Sequence, residues 1–283
     1  MNRLCAHSSL KHRPPRSTQL RRWPIASVML GLILTAPLSA EKSQFTTLEG
    51  QARDPQTGEV IYQERHSMAQ NASGQWVMES DYLAPDGSLF AERTVSFDPK
   101  YPQRPNYRLT DYRDDFEEGA TTLDDGRVEL FRVVDGERKS EIIRPSEDIP
   151  LVIDAGFSAF IASHWSELLA GQRLTFDFAS AARLTTIPFR LTHVETISDS
   201  GGSDSGSSRQ QKFKLEPSNW FVRMLVSPIV LTYANDTRAL IGYSGLSNIR
   251  KEGGGNHNVD IRFPPDHQFS MRQLPSGSRQ AVP

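Results

Sequence analysis

Apolar and polar residues alternate with a period of two along much of the chain. Trp76, Met78 and Tyr82 share one face of residues 75–83, and Leu89, Ala91, Val95 and Phe97 share one face of residues 88–97. Val128, Leu130 and Val134 do the same in 127–134, with Phe131 and Val133 opposite. Successive side chains of a strand point to opposite faces, so this alternation predicts a sheet with one packed face. Turn signals separate the segments: Asp54 to Gly58, Asn71 to Gly74, Pro85-Asp86-Gly87, Glu117-Glu118-Gly119, Asp124-Asp125-Gly126 and Asp135-Gly136. Gly supplies positive φ there, and Asp or Asn closes local side-chain hydrogen bonds. Their spacing of roughly 8–12 residues predicts antiparallel hairpins in a meander.

One stretch has a different period. From Asp154 to Leu169 the apolar positions are Phe157, Phe160, Ile161, Trp165, Leu168 and Leu169. Steps of three and four trace one helical face, so a helix of about four turns is predicted, capped by Asp154 and ended by Gly171. Its apolar stripe has to be buried, most simply against the sheet. Alternation resumes at Leu174, Phe176 and Phe178, then at Ile187, Phe189 and Leu191, where Pro188 predicts an edge or a bulge. Residues 199–208 are almost purely Gly, Ser and Asp and read as a flexible hairpin loop. Residues 219–226 are too apolar for an exposed loop and read as a short helix or a buried strand. Ile229, Leu231 and Tyr233 alternate, a partner strand runs from Leu240 to Ile249, and Ile261 and Phe263 close the series. The fold class expected is mainly β: one antiparallel curved sheet or half-open barrel packed on one substantial α-helix. It forms a single domain over 41–263, with a loose tail over 264–283.

The N-terminus changes the setting. Arg3, Lys11, Arg13, Arg16, Arg21 and Arg22 precede an apolar run from Ile25 to Leu38, which ends at Pro37-Leu38-Ser39-Ala40. Those are the three parts of a signal peptide, with cleavage expected near Ala40 and a periplasmic or secreted product. The apolar run is short of the roughly 20 residues that span a bilayer. Processing removes six bases and no acid, leaving 26 bases against 34 acids. So acidic a protein is a poor partner for nucleic acid, and none is expected. Cys5, the sole cysteine, falls in the removed segment, so the remainder is held by packing without disulfides.

Candidate chemistry is sparse. Gly242-Tyr243-Ser244-Gly245 lacks the glycine two residues after serine that a hydrolase elbow requires. The histidines His66, His164, His193, His257 and His267 make no close pair at metal-ligand spacing. The acids Asp111, Asp114, Asp115, Glu117, Glu118, Asp124 and Asp125 lack the ligand alternation of a calcium loop and read as a solvated hairpin end. Glu64 and His66 are same-face neighbours on one strand. No catalytic residue, metal site or cofactor is assigned.

Two segments carry a resemblance: Asp154-Ala-Gly-Phe-Ser-Ala-Phe-Ile-Ala-Ser-His-Trp on to Gly171, and Pro228-Ile-Val-Leu-Thr-Tyr through Thr237-Arg238 to Gly245-Leu-Ser-Asn-Ile-Arg250. Together they resemble a family of uncharacterised exported bacterial proteins. The strand–helix–strand order also resembles the LolA/LolB lipoprotein carriers, a likeness that implies a half-open barrel covering helices and an acyl-chain ligand. The aromatic content fits an apolar cleft, and the expected ligand is lipophilic. Phe160, His164, Trp165, Phe176 and Tyr233 are the expected contacts, with Ser247, Asn248 and Arg250 as polar residues in an otherwise apolar strand. Trp220-Phe221 is expected as a lid or a transient membrane contact. An envelope structural or protein-interaction module is the alternative, and a hydrolase without a recognisable motif is the second.

Overall fold

A computed structural model describes residues 46–198, 209–225, 227–264 and 267. The expected signal peptide, the Gly/Ser/Asp loop at 199–208 and nearly all of the expected tail lie outside the described residues.

Among the described residues, fifteen strands form one sheet. In the first part of the chain they are β1 (Thr46–Arg53), β2 (Val60–Gln70), β3 (Trp76–Leu83), β4 (Leu89–Phe97), β5 (Asn106–Asp111), β6 (Phe116–Thr122), β7 (Val128–Val134) and β8 (Glu137–Ile143). Then come β9 (Leu151–Ile153), helices α1 (Gly156–Ser163) and α2 (Trp165–Leu169), β10 (Leu174–Ser180) and a 3₁₀ turn, η1 (Ala181–Arg183). The chain continues with β11 (Thr185–Ser198), β12 (Arg209–Pro217), α3 (Trp220–Leu225), β13 (Ile229–Ala234), β14 (Leu240–Arg250) and β15 (Asn256–Arg262).

The sheet order is β8 to β1, then β15 to β9. Two meanders are therefore laid side by side and joined where β1 pairs with β15 through Gln51↔Arg262, Ala52↔Ile261 and Arg53↔Asp260. All ladders are antiparallel except β9–β10. The sheet is curved and unclosed: its edges are β8 and β9, which do not pair with each other. Residues 144–150 nevertheless connect those two edges, and seven extended residues reach at most about 25 Å. Hence the sheet curls. Arg132 of β7 donates to the carbonyl of Ala182 in η1 (2.8 Å), and Arg113 donates to that of Arg250 on β14 (2.9 Å). Ile153 N–H donates to Gln103 O (3.0 Å), and a Cβ on Gly156 would lie 2.2 Å from that same oxygen, so only glycine fits the crossing.

Four local expectations need correction. The helix is broken in two at His164, and its N-cap is Ala155. Asp154, at φ +39°, turns its carboxylate to Arg93 instead of to the helix N–H groups. Gly171 does end the helix, at φ +85°. Leu89 is 45% exposed while Phe90 is buried, because a bulge slips the register from Tyr82↔Ala91 to Leu83↔Leu89. Residues 220–225 form the short helix, one of the two structures expected there, with Trp220 and Phe221 54% and 61% exposed. Finally, the acidic segment is not wholly solvated: Asp111 and Glu118 are buried. Pro188 marks neither an edge strand nor a bulge, because β11 lies between β10 and β12 and its register shift falls at His193/Glu195. The proline is tolerated there because it sits one residue beyond Phe189↔Pro217, where the β11–β12 ladder ends, and its carbonyl still accepts from Ser218 N–H.

The core has two parts. One gathers Val152, Phe160, Ile161, Trp165, Leu168, Phe176, Leu191, Phe213, Leu215, Leu231 and Tyr233, so the broken helix is packed on β9–β13. The other lies mainly among β1–β7, β14 and β15, from Leu48 and Tyr62 to Leu130, Ile249 and Ile261, and also takes in Leu151 and Ile153 of β9, Ala159 of α1 and Ala179 of β10.

Candidate functional site

Four of the expected contact residues belong to the first core. Phe160 lies 5.2 Å from Phe176 between ring centroids, and Trp165 lies 5.1 Å from Phe213 and 6.1 Å, edge-on, from Tyr233. Tyr233 and Ser158 exchange a hydrogen bond of 2.9 Å. His164 sits at the helix break with Nδ1 3.0 Å from Phe160 O. These aromatics satisfy one another, and none of them lines either of the two clefts described below.

The second core carries polar groups through its interior. Glu64 and His66 alternate inward on β2, and β3 presents Ser80 beside them. Glu64 Oε2 lies 2.9 Å from His66 Nε2, and His66 Nδ1 lies 2.7 Å from Ser80 Oγ. Carboxylate, imidazole and hydroxyl thus stand in the order of a hydrolase triad. Ser80, however, is only 1% exposed and lines neither cleft, so the hydroxyl is held away from any acyl group entering there. Tyr62 and Ser247 share a 2.7 Å hydrogen bond, which assigns Ser247 to the core as well.

Arg93 Nη1 is 3.3 Å from both carboxylate oxygens of Asp154, and both side chains are largely buried. Burial pulls the guanidinium pKa down, but Asp154 together with Tyr82, Glu64 and Tyr107 raises it above its ordinary value, so the group stays cationic. This pair ties β4 to the start of α1. Arg93 Nε is buried without a partner.

Asn248 and Arg250 are different: they line a cleft of about 500 Å³. Its other walls are Arg132 from β7, Asn256 from β15, and Phe116 and Glu118 from β6, with Ala182 of η1 at one side. Asp135, Glu137 and Lys139 form an exposed rim. The curl creates this site, since β6–β7 and β14 are far apart in sheet order. The Arg250 guanidinium lies 4.5 Å over the Phe116 ring. Arg132 uses one N–H on Ala182. Neither guanidinium is in an ion pair among the described residues, whereas the partly buried Arg93 and Arg113 each hold an aspartate. Asn256 donates to Ser247 O (2.7 Å), which fixes that wall.

Glu118 forms the buried floor. Burial lifts its pKa to about 7, Asp154 adds to the rise, and Tyr107, Arg250 and Arg132 oppose it. Tyr107 O–H is 3.4 Å from the Glu118 carboxylate, and burial raises the tyrosine pKa well above its usual value. Near neutral pH the floor therefore exists both as carboxylate and as carboxylic acid. Sequence reading missed Phe116, Glu118 and Arg132, because no local pattern marks residues that meet only across a curl.

A second cleft, of about 620 Å³, runs along the β1–β2 hairpin and β15. Its charges are largely engaged: Arg65 with Glu49 at 3.1 Å, and Arg53 with Gly58 O and Gln51. Elsewhere, Trp220 and Phe221 stack on the surface with centroids 3.6 Å apart. Gly245 confirms a strand passing close to its neighbour, since a Cβ there would sit 3.0 Å from Ile229. No cluster of metal-ligating side chains occurs, and no helix is long and apolar enough to cross a membrane, among the described residues.

Neither a protein-family model nor a curated protein sequence matches the chain. Among solved structures it is similar to a β-barrel-like protein of a domain of unknown function, DUF1849, from Brucella abortus, at 8% identity and a TM-score of 0.44, over 77% of this chain and 93% of that one. It is also similar to a domain described as an outer membrane lipoprotein-sorting protein from Vibrio parahaemolyticus, at 7% identity and a TM-score of 0.22, over 77% of this chain and 82% of that one.

Proposed function

We propose that the chain is an exported binding protein of the cell envelope that takes a lipophilic ligand with a polar end. The observation that carries this reading is the cleft at Asn248 and Arg250. It is a concave site lined from five strands, with convergent polar donors around a ring and two smaller apolar groups, Phe116, Val134 and Ala182. The aromatic set on α1, α2, β10 and β13 acts as packing in this reading, and the ligand's polar end is read at the mouth of the curl. Native mass spectrometry of the protein from its host's periplasm, followed by lipid extraction, tests it. A stoichiometric co-purifying lipid supports the carrier role, and sequencing the N-terminus of the same sample locates the expected cut near Ala40. Bare protein that also takes up no fluorescent fatty-acid probe overturns it.

A second reading, an envelope interaction module, rests on the exposed Trp220–Phe221 stack. Aromatic residues of this kind suit a protein partner or a membrane interface. Crosslinking from position 220 in intact cells, with loss of the product in Phe221→Ser, is its expected signature.

A further inference from the structure

We infer that the cleft between β6–β7 and β14 is an oxyanion site that selects ligands ending in a carboxylate or phosphate through Arg132 and Arg250. This deepens the proposed function and rests on it for the lipophilic part alone. The Arg250 guanidinium carbon lies 4.5 Å over the Phe116 ring, a cation–π contact that restrains the group before any ligand arrives. A fixed planar fork pairs with two oxygens of one carboxylate or phosphate, where an ammonium offers only a point charge. Arg132 enters from the opposite side of the curl, anchored by one N–H on Ala182 with its remaining donors uncommitted. The Asn248 amide borders the same space. Asp135 and Glu137 stand on the solvent-exposed rim, where water screens them, and Glu118 alone competes from within.

The chain as a whole carries an excess of acid. Long-range attraction therefore does not deliver the anion, and selectivity has to arise inside the cleft. The hydrocarbon part of an amphiphile would leave past Val134 and Ala182, the smaller apolar groups of the lining.

The test is calorimetric titration of the exported protein with four probes below their aggregation limits: decanoate, decyl phosphate, decanol and decyltrimethylammonium, with inorganic phosphate as a fifth. Decanoate and decyl phosphate should bind at least tenfold more tightly than decanol, and the cation weakest. Arg132→Gln and Arg250→Gln should each cost the anions about tenfold and leave decanol within twofold. If Arg250→Gln does not fold, as its stacking on Phe116 allows, Arg132→Gln and the wild-type selectivity still decide. Equal binding of decanol and decanoate overturns the anion site while the lipophilic reading stands. Inorganic phosphate binding as tightly as decyl phosphate supports the anion site and overturns the lipophilic reading. No heat with any probe overturns both.

Discussion

The two parts of the core solve the same problem in opposite ways. On β9–β13 the concave face is filled by a broken helix and rings that pack on rings. On β1–β7 it is threaded by Glu64, His66, Ser80, Arg93 and Glu118, each held by a specific partner. Apolar filling is non-directional and tolerant, whereas buried polar groups are costly unless every partner is in place. It is this polar-threaded region that opens into the cleft, where Arg132 and Arg250 stand outside any ion pair among the described residues.

Substitutions sharpen the contrast. The largest loss is expected in the filled part: Phe213→Ala, fully buried between Trp165, His193 and Tyr233, should cost about 3–5 kcal/mol in urea unfolding. In the polar part, Arg93→Met should cost about 3 kcal/mol because it strands the buried Asp154 carboxylate. Adding Asp154→Asn, a residue that tolerates the positive φ there, should recover much of that loss. An equal cost for single and double variants would mean that packing, not charge, is what Arg93 supplies.

A smaller, pH-dependent effect follows from Glu118. Its pKa is raised in the folded chain, to about 7 from an ordinary 4.5, so the fold keeps a proton that the unfolded chain gives up. The stabilising contribution is complete below about pH 4.5 and is lost as pH rises through about 7, at no more than about 1.4 kcal/mol per pH unit. Glu118→Gln should flatten that stretch of the stability profile and be the more stable protein at pH 8. The groups facing Glu118 are Tyr107, Arg132, Arg250 and Asp154, so decanoate affinity should also rise between pH 8 and 6 as the carboxylate is neutralised. Smallest of all, Trp220→Ser and Phe221→Ser should change unfolding stability by only about 0.5 kcal/mol, since exposed rings contribute little to the core.

Much of the fold was legible in the sequence because strands and helices announce themselves by local period. Trp76, Met78 and Tyr82 point inward together as their spacing requires, and Phe160, Ile161, Trp165 and Leu168 form the helical stripe. What escaped has a physical reason in each case. Leu89 changed faces because a bulge, which no local signal marks, reset the register. Asp154 was read as a cap because the alternative partner, Arg93, is 61 residues away. Glu64 and His66 were visible as neighbours, but Ser80 joins them only through the β2–β3 ladder. Within the cleft, Asn248 and Arg250 stood out as polar residues in an apolar strand. Glu118 was masked by the acidic residues around it, and Arg132 by the ordinary look of an arginine facing solvent.

The β1–β15 ladder has a kinetic side. Each meander is assembled from neighbours in sequence, so its hairpins close small loops and can form early. The seam joins Gln51 to Arg262, nearly the full described length of the chain, through three residue pairs. Loop-closure entropy sets such a pairing last in the order of events, and slow. On this ordering the half-sheets would meet along β1 and β15 only after their own hairpins have formed. The cleft is then expected to form late in folding, in the same step that covers the facing edges of β1 and β15.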